Sequence, residues 1–145
     1  MPKVYDRLDV YWTDDGDLLV GPTGDLFDTE EDPLRSLVQE IKTRIMGDQE
    51  DWELYPDVGA GLSELIGEPN NKATAEAGRA KIIAALTRDG LVSSSDISIK
   101  YMPTGPYSLL HKLVIAVSPT SINFQTEFIE IKVLFDYMDG NLHLV

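Results

Sequence analysis

Cysteine is absent from the chain. That excludes a disulfide framework, a thiolate nucleophile and any Cys-ligated zinc or iron–sulfur site. Histidine is scarce, with only His111 and His143 in 145 residues. A catalytic imidazole needs a partner that orients it; neither histidine stands in a spacing that supplies one, and both read as structural residues of strands. No HExxH, GxSxG or P-loop pattern occurs. No apolar stretch approaches the ~20 residues of a membrane span, and the opening MPKVYDRLDV lacks the apolar run of a secretory leader. Neither a membrane nor a cofactor is therefore expected. Positive charge is the remaining shortage. Lys and Arg number 12 against 25 Asp and Glu, a formal net charge of -13. Such a surface repels phosphate backbones, and the basic residues are scattered singly, so nucleic acid is not an expected partner. The acidity favours solubility and, more weakly, a basic partner.

What is present describes one domain spanning residues 1–145, because a chain of this length with 43% hydrophobic residues can bury a real core. Leu8–Thr13, the turn DDGD at Asp14–Asp17 and Leu18–Val20 read as an N-terminal β-hairpin. The DDGD cluster lacks the ligand spacing and closing Glu of an EF-hand, and reads as an acidic turn rather than a calcium site. Asp32 as N-cap and Pro33 at the first position open a helix, in which Leu34, Leu37, Val38, Ile41 and Ile45 share one face. Gly47 is its expected stop, and Lys42 and Arg44 sit near the end where the helix dipole favours cations. A second helix is expected from Ala73 to Arg88, ended by Asp89-Gly90, with Ala75, Gly78, Arg79, Ile82, Ile83 and Leu86 on one face. Gly78 costs that helix about 1 kcal/mol relative to Ala, which implies close approach of another element. The last third alternates as strands: Ile97–Met102, Leu109–Val117 after the break TGPY, and Ile129–Tyr137. Asp139-Gly140 then reads as a two-residue turn returning the chain as Asn141–Val145. The fold class is α+β: two main helices on a mostly antiparallel sheet, with β-hairpins at both ends.

Between the helices lies WELYPDVGAGLSELIGEPNN, Trp52 to Asn71, with two aromatics, three glycines, two prolines and four carboxylates. Trp52, Leu54 and Tyr55 read as a short extended anchor that buries its rings. Pro56 fixes the backbone after them. Gly59 and Gly61 permit turns or close approach, and Leu62, Leu65 and Ile66 form one turn packed on the core. One reading is a loop pinned to the core; the other is a rigid platform that displays Glu68 to a partner, since loops on rigid scaffolds often carry function. The carboxylates Glu53, Asp57, Glu64 and Glu68 also invite a glycosidase reading. Spatial separation identifies such a dyad, and 25 acidic residues produce sequence clusters by chance.

The order of these elements carries a family resemblance. DPLRSLVQEIKTRIMGDQEDWELYPDVGAGLSELIGEPNN, continued through the second helix, resembles the sheath-initiator family of baseplate wedge proteins of contractile-tailed phages, contractile bacteriocins and type VI secretion baseplates. The match covers about residues 32–117, with Pro56, Gly59, Leu62 and Glu68-Pro69 as its most telling elements. The resemblance implies a structural virion protein, present in the host cytoplasm during assembly, with no catalytic residue, cofactor or metal. Docking on the baseplate wedge proteins would run through the Glu-Pro region, with Glu68, Pro69, Asn70, Pro56 and Gly59 as the wedge-interface residues. Pairing with the tail sheath protein would use a β-edge, for which Asn141, Leu142, His143, Leu144 and Val145 are the candidates. Tail tube or hub-proximal proteins are further implied contacts. Many relatives follow Glu-Pro with Arg; Asn70 stands here, which removes a salt bridge attributed to that Arg and leaves contact through Glu68. Relatives have also been labelled lysozyme-like, so an acidic glycoside hydrolase is the alternative. An adaptor for a basic partner would account for the charge and not for the connector.

Overall fold

The computed structural model describes residues 8–13, 15–117 and 126–144. Two helices, α1 (Pro33–Met46) and α2 (Lys72–Thr87), precede four strands, β1 (Ile97–Pro103), β2 (Ser108–Val117), β3 (Glu127–Asp136) and β4 (Leu142–Leu144). The strands form one antiparallel sheet in chain order, and the architecture is α+β. Alternation along β2 and β3 buries Leu109, Leu113, Ile115, Ile129, Ile131, Val133 and Phe135 in the same core as Leu37, Ile41 and Ile45 of α1 and Ala75, Ile82 and Leu86 of α2. A strand points alternate side chains to opposite faces, so one face of the sheet lies in the core and the other faces solvent.

The helices end by means only partly visible in sequence. Asp32 precedes α1 without a capping side-chain hydrogen bond, and Gly47 ends it in extended rather than left-handed geometry. In α2 the cap is explicit: the Asn71 side-chain oxygen accepts from the Thr74 amide at 3.0 Å. At its other end Asp89 and Gly90 both take positive φ, of 55° and 66°. Arg44, expected to serve the end of its own helix, instead crosses to α2. Its Nη1 donates to the carbonyls of Ala85 and Arg88, both at 3.0 Å, and its Nη2 to Glu40 at 2.8 Å. Those two carbonyls belong to the end of α2, where backbone acceptors lack helical partners.

Gly78 is the place where α2 meets the sheet. A Cβ there would lie 3.2 Å from the His111 ring and 3.4 Å from Leu65. His111, on β2, is buried and donates through Nε2 to the Ala75 carbonyl at 3.1 Å. The neighbouring β1 adds a second tie, the Tyr101 hydroxyl to Glu76 at 2.8 Å, which holds the Glu76 carboxyl below its ordinary range. On the solvent face, the register sets Lys100 opposite Lys112 and Lys112 opposite Lys132. Basic residues scattered in sequence thus align in one row. Glu130 is ion-paired to Lys112 at 3.2 Å and to Lys132 at 3.9 Å, offsetting like charges that oppose each other across strands.

One expected turn is corrected. Asp139-Gly140 is not a two-residue turn: only Gly140 of the pair has positive φ, and the Asp136 amide donates to Asn141 O across four intervening residues. Tyr137 therefore lies past β3, with its ring packed edge-on against Phe135 at 5.1 Å. Near the N-terminus, the described residues pair at the isolated antiparallel bridges Trp12↔Leu18, which spans the expected DDGD turn, Val20↔Leu26 and Val10↔Asp28. The third bridge brings residues 26–28 into a pairing that a single hairpin does not include. Asp14 of the DDGD turn lies outside the described residues.

Arg44→Met is expected to destabilise the protein by about 3 kcal/mol, because it leaves two carbonyls and Glu40 without their donor at little change in volume. Thermal or urea unfolding of both proteins checks it. A loss near zero would remove Arg44 as the tie between the helices.

Candidate functional site

The connector from Gly47 to Asn71 is a chain of short backbone turns. Tyr55 N–H donates to Trp52 O at 3.0 Å, Val58 N–H to Tyr55 O at 3.1 Å, and Glu50 N–H to Pro56 O at 2.6 Å. These close the first half of the loop on itself. Gly59 then lies flat on the end of α1: a Cβ at this residue, whose φ is +133°, would come within 2.6 Å of the Asp48 carbonyl carbon. The next amides bind the same helix end, Ala60 N–H to Arg44 O at 2.8 Å and Gly61 N–H to Gly47 O at 3.4 Å. A 3₁₀ turn at Leu62–Leu65 buries both leucines.

The rings expected to anchor this loop do not do so. Trp52, Leu54 and Tyr55 are 51%, 85% and 66% exposed. The Trp52–Tyr55 stretch is a turn rather than an extended segment, and it directs its side chains outward. Ala60, Leu62 and Leu65 supply the burial instead, and Ile66, expected in the core, is largely exposed.

The second half forms a corner against the far end of the sheet. Gly67, with φ +87°, donates its amide to Tyr137 O at 2.8 Å, and Tyr137 N–H donates to Tyr107 O at 2.7 Å. The Asn70 side-chain amide donates to Gly105 O at 2.9 Å and Ser108 O at 3.0 Å. The β1–β2 turn, the residue after β3 and the connector are thereby joined by main-chain acceptors. Glu68 and Pro69 stand exposed between Gly67 and Asn70. Sequence reading placed Asn70 at a partner surface; the structure turns its side chain inward as a staple. The burial of Tyr137 completes this end, pushing its phenol up to about 12, and its hydroxyl has no hydrogen-bond partner among the described residues.

The candidates thus divide. Pro56 and Gly59 belong to the end held on α1, Glu68, Pro69 and Asn70 to the end held on the sheet. Asn141–Leu144 follow the turn that meets the corner, where Ile66 lies against Gly140. In β4, Leu142 and Leu144 are half-buried and His143 is exposed; Val145 lies outside the described residues. Among the described residues β4 pairs with Val133, Leu134 and Phe135 of β3.

The four carboxylates considered for hydrolysis are all exposed. Glu64 is ion-paired with Lys81, and Asp57 with Arg88 at 3.5 Å. None sits in the apolar surroundings with which a glycosidase raises the pKa of its acid. No group of acidic or histidine side chains among the described residues is arranged to hold a metal ion. No helix among them is long and apolar enough to cross a membrane. Comparisons of the chain with protein families, curated proteins and solved structures found no match.

Asn70→Ala is expected to cost about 1.5 kcal/mol, since two carbonyls lose their shared donor. It should also raise amide hydrogen exchange at Gly67 and in the 104–107 turn; unaltered exchange there would mean that the corner is held without Asn70. A second expectation concerns His111. Desolvation by burial lowers its pKa, outweighing the opposing effects of the Ala75 hydrogen bond and Glu76. The unfolded chain therefore takes up the proton first as pH falls. Stability is full above the ordinary histidine value of about 6.5 and is lost as pH drops through the lowered folded value. Urea unfolding at pH 7 and pH 5 should show this loss in the wild type and a smaller one in His111→Gln, which retains a donor without titrating in this range.

Proposed function

We propose that the protein is a structural baseplate component of a contractile tail. In this reading it docks on the wedge proteins through the Glu68-Pro69 corner. It then templates the first ring of tail sheath subunits by β-strand pairing. The resemblance of residues 32–117 to the sheath-initiator family supports the assignment. The observation that carries it here is the corner itself: an exposed Glu-Pro pair on backbone fixed to the sheet on both sides, by Gly67 and by Asn70. A recognition element gains affinity from being held in its bound shape beforehand. With Asn70 turned inward, docking falls to Glu68, Pro69 and the contour of the loop.

Strand pairing has a physical basis in the sheet's edges. Among the described residues β1 ends the sheet on one side. On the other, β4 covers three residues of the ten-residue β3. An extended segment of another chain can join such an edge through main-chain hydrogen bonds, and unpartnered edges are otherwise hazards in solution. The terminal hairpins belong to the same reading, with the C-terminal one as the element offered to the sheath protein. The protein would act in the virion and, before assembly, in the host cytoplasm. Tail tube or hub-proximal proteins are its further neighbours. Recognition and register replace catalysis in this account.

Two variants separate the two contacts. Glu68→Ala should weaken capture of wedge proteins about tenfold without changing the melting temperature, as loss of one interface side chain does. Deleting residues 141–145 should impair sheath initiation, followed by electron microscopy of assembling particles, more than wedge capture. Unchanged capture by Glu68→Ala would sink the corner's role. Equal loss of both steps with an unfolded protein would reduce β4 to a structural strand.

A further inference from the structure

The first 57 residues hold 16 of the 25 acidic side chains and 5 of the 12 basic ones, a formal net of -11 out of -13. The same region carries most of the exposed apolar surface. Trp12, Leu18, Leu19, Val20, Leu26 and Phe27 are each between 40% and 58% exposed. A soluble chain keeps large exposed apolar patches at a risk of aggregation, and such patches mark interaction sites.

At the junction of this region with α1 and the connector lies a groove of about 560 Å³. Trp12 and Gly16, Gln39 and Met46 of α1, and Trp52 line it. Internal bonds fix it. Gln39 accepts from the Trp12 amide at 2.8 Å and donates to Val10 O at 2.9 Å. The Arg35 guanidinium donates to Trp12 O and lies 4.7 Å from the centre of the Tyr11 ring. The groove is therefore preformed, and its volume suits one bulky side chain with its neighbours. Asp9 and Glu40 line it together with Arg35 and Lys42, while the exposed Asp15 and Asp17 stand next to Gly16 in sequence and the exposed Asp51 and Glu53 next to Trp52.

We propose that this groove docks a basic segment of a partner protein, with one aromatic or aliphatic anchor between Trp12, Met46 and Trp52 and flanking Lys or Arg side chains drawn to the exposed acidic residues next to Gly16 and Trp52. Charge decides the occupant. A nucleic acid or an acidic peptide meets a region of like charge. A second copy presents the same acidic region, and its one aligned basic row, Lys100, Lys112 and Lys132, already has Glu130 between two of its members. A basic segment gains both from the apolar lining and from the field around it, which also speeds encounter. This surface shares no residue with the Glu68-Pro69 corner, and the inference stands apart from the baseplate reading.

Trp12 and Trp52 are the chain's only tryptophans, so its intrinsic fluorescence reports on the groove. The full-length protein is titrated with three synthetic peptides of about a dozen residues, a length that spans a groove of this size. One is Lys/Arg-rich with a central Phe, one has the same charge with Gly in place of Phe, and one is acidic with the Phe. The anchored basic peptide should blue-shift the emission saturably and bind about tenfold more weakly when salt rises severalfold. The other two should bind at least about tenfold more weakly than it, through loss of the anchor or of charge complementarity. Met46→Glu and Trp52→Ala, both at exposed positions, should abolish the saturable response while retaining the wild-type circular dichroism spectrum. An equal response to the anchor-free peptide would overturn the proposal in favour of a general acidic surface. No response to the anchored peptide would also overturn it, as would an emission shift that follows protein concentration alone and places a second copy in the groove.

Discussion

The guanidinium of Arg44 is the point on which the arrangement of this molecule turns. A buried charge is costly unless its donors are matched, and Arg44 is matched by the last carbonyls of α2 and by Glu40. Its own carbonyl accepts the Ala60 amide, so one residue holds α1, the end of α2 and the middle of the connector. The consequences run outward. With the end of α2 fixed on α1, Gly78 is set against His111 and the helix is seated on β2. With Ala60 fixed, the 3₁₀ turn delivers Leu62 and Leu65 to the core and leaves the rest of the connector to reach the sheet.

Why so much glycine and proline stands in one connector then has a physical answer. The loop is held mainly by its backbone. Gly59 lies where no side chain fits, and Gly67 presents its amide to Tyr137 from a left-handed conformation that other residues adopt only at a cost. Securing a loop in this way leaves its side chains unspent. Trp52, Leu54, Tyr55 and Glu68 remain exposed on a backbone with little freedom, the condition under which surface loops act in recognition.

What was legible in the sequence follows from which interactions have a period. The helix faces and the alternation of β2 and β3 were visible because burial repeats every 3.6 or every 2 residues. Gly78 was legible as a close approach, because an interior helix glycine has few other uses. The β1–β2 turn was marked by Thr104–Tyr107. Interactions between residues far apart in sequence left no such trace. Arg44 stood where a helix-end cation is ordinary, and nothing local shows that its acceptors lie more than 40 residues away. Asn70 looked like a surface residue because its two acceptors belong to a distant turn. The lysine row became visible only once the strand register was known. Trp52 and Tyr55 misled for another reason: aromatic residues beside proline were read as an anchor, whereas backbone hydrogen bonds made that anchor unnecessary.

Asn70 bears most directly on how the corner can work. An Arg after Glu-Pro would extend a charge toward a partner, whereas Asn70 spends both hydrogens of its amide on the protein's own β1–β2 turn. In the proposed docking this would replace an intermolecular ion pair, whose desolvation offsets much of its gain, with rigidity in the free protein. Affinity would then come less from a charge across the interface and more from the ordering already present in Gly67–Asn70. The groove beside Trp52 follows the same logic at the other end of the connector, where Gln39 and Arg35 fix the Trp12 backbone before any partner arrives. Gly59 and Ala60, clamped to α1 between these ends, stand in the way of motion passing from one to the other. The connector therefore behaves as two preformed surfaces on a common clamp rather than as one flexible link.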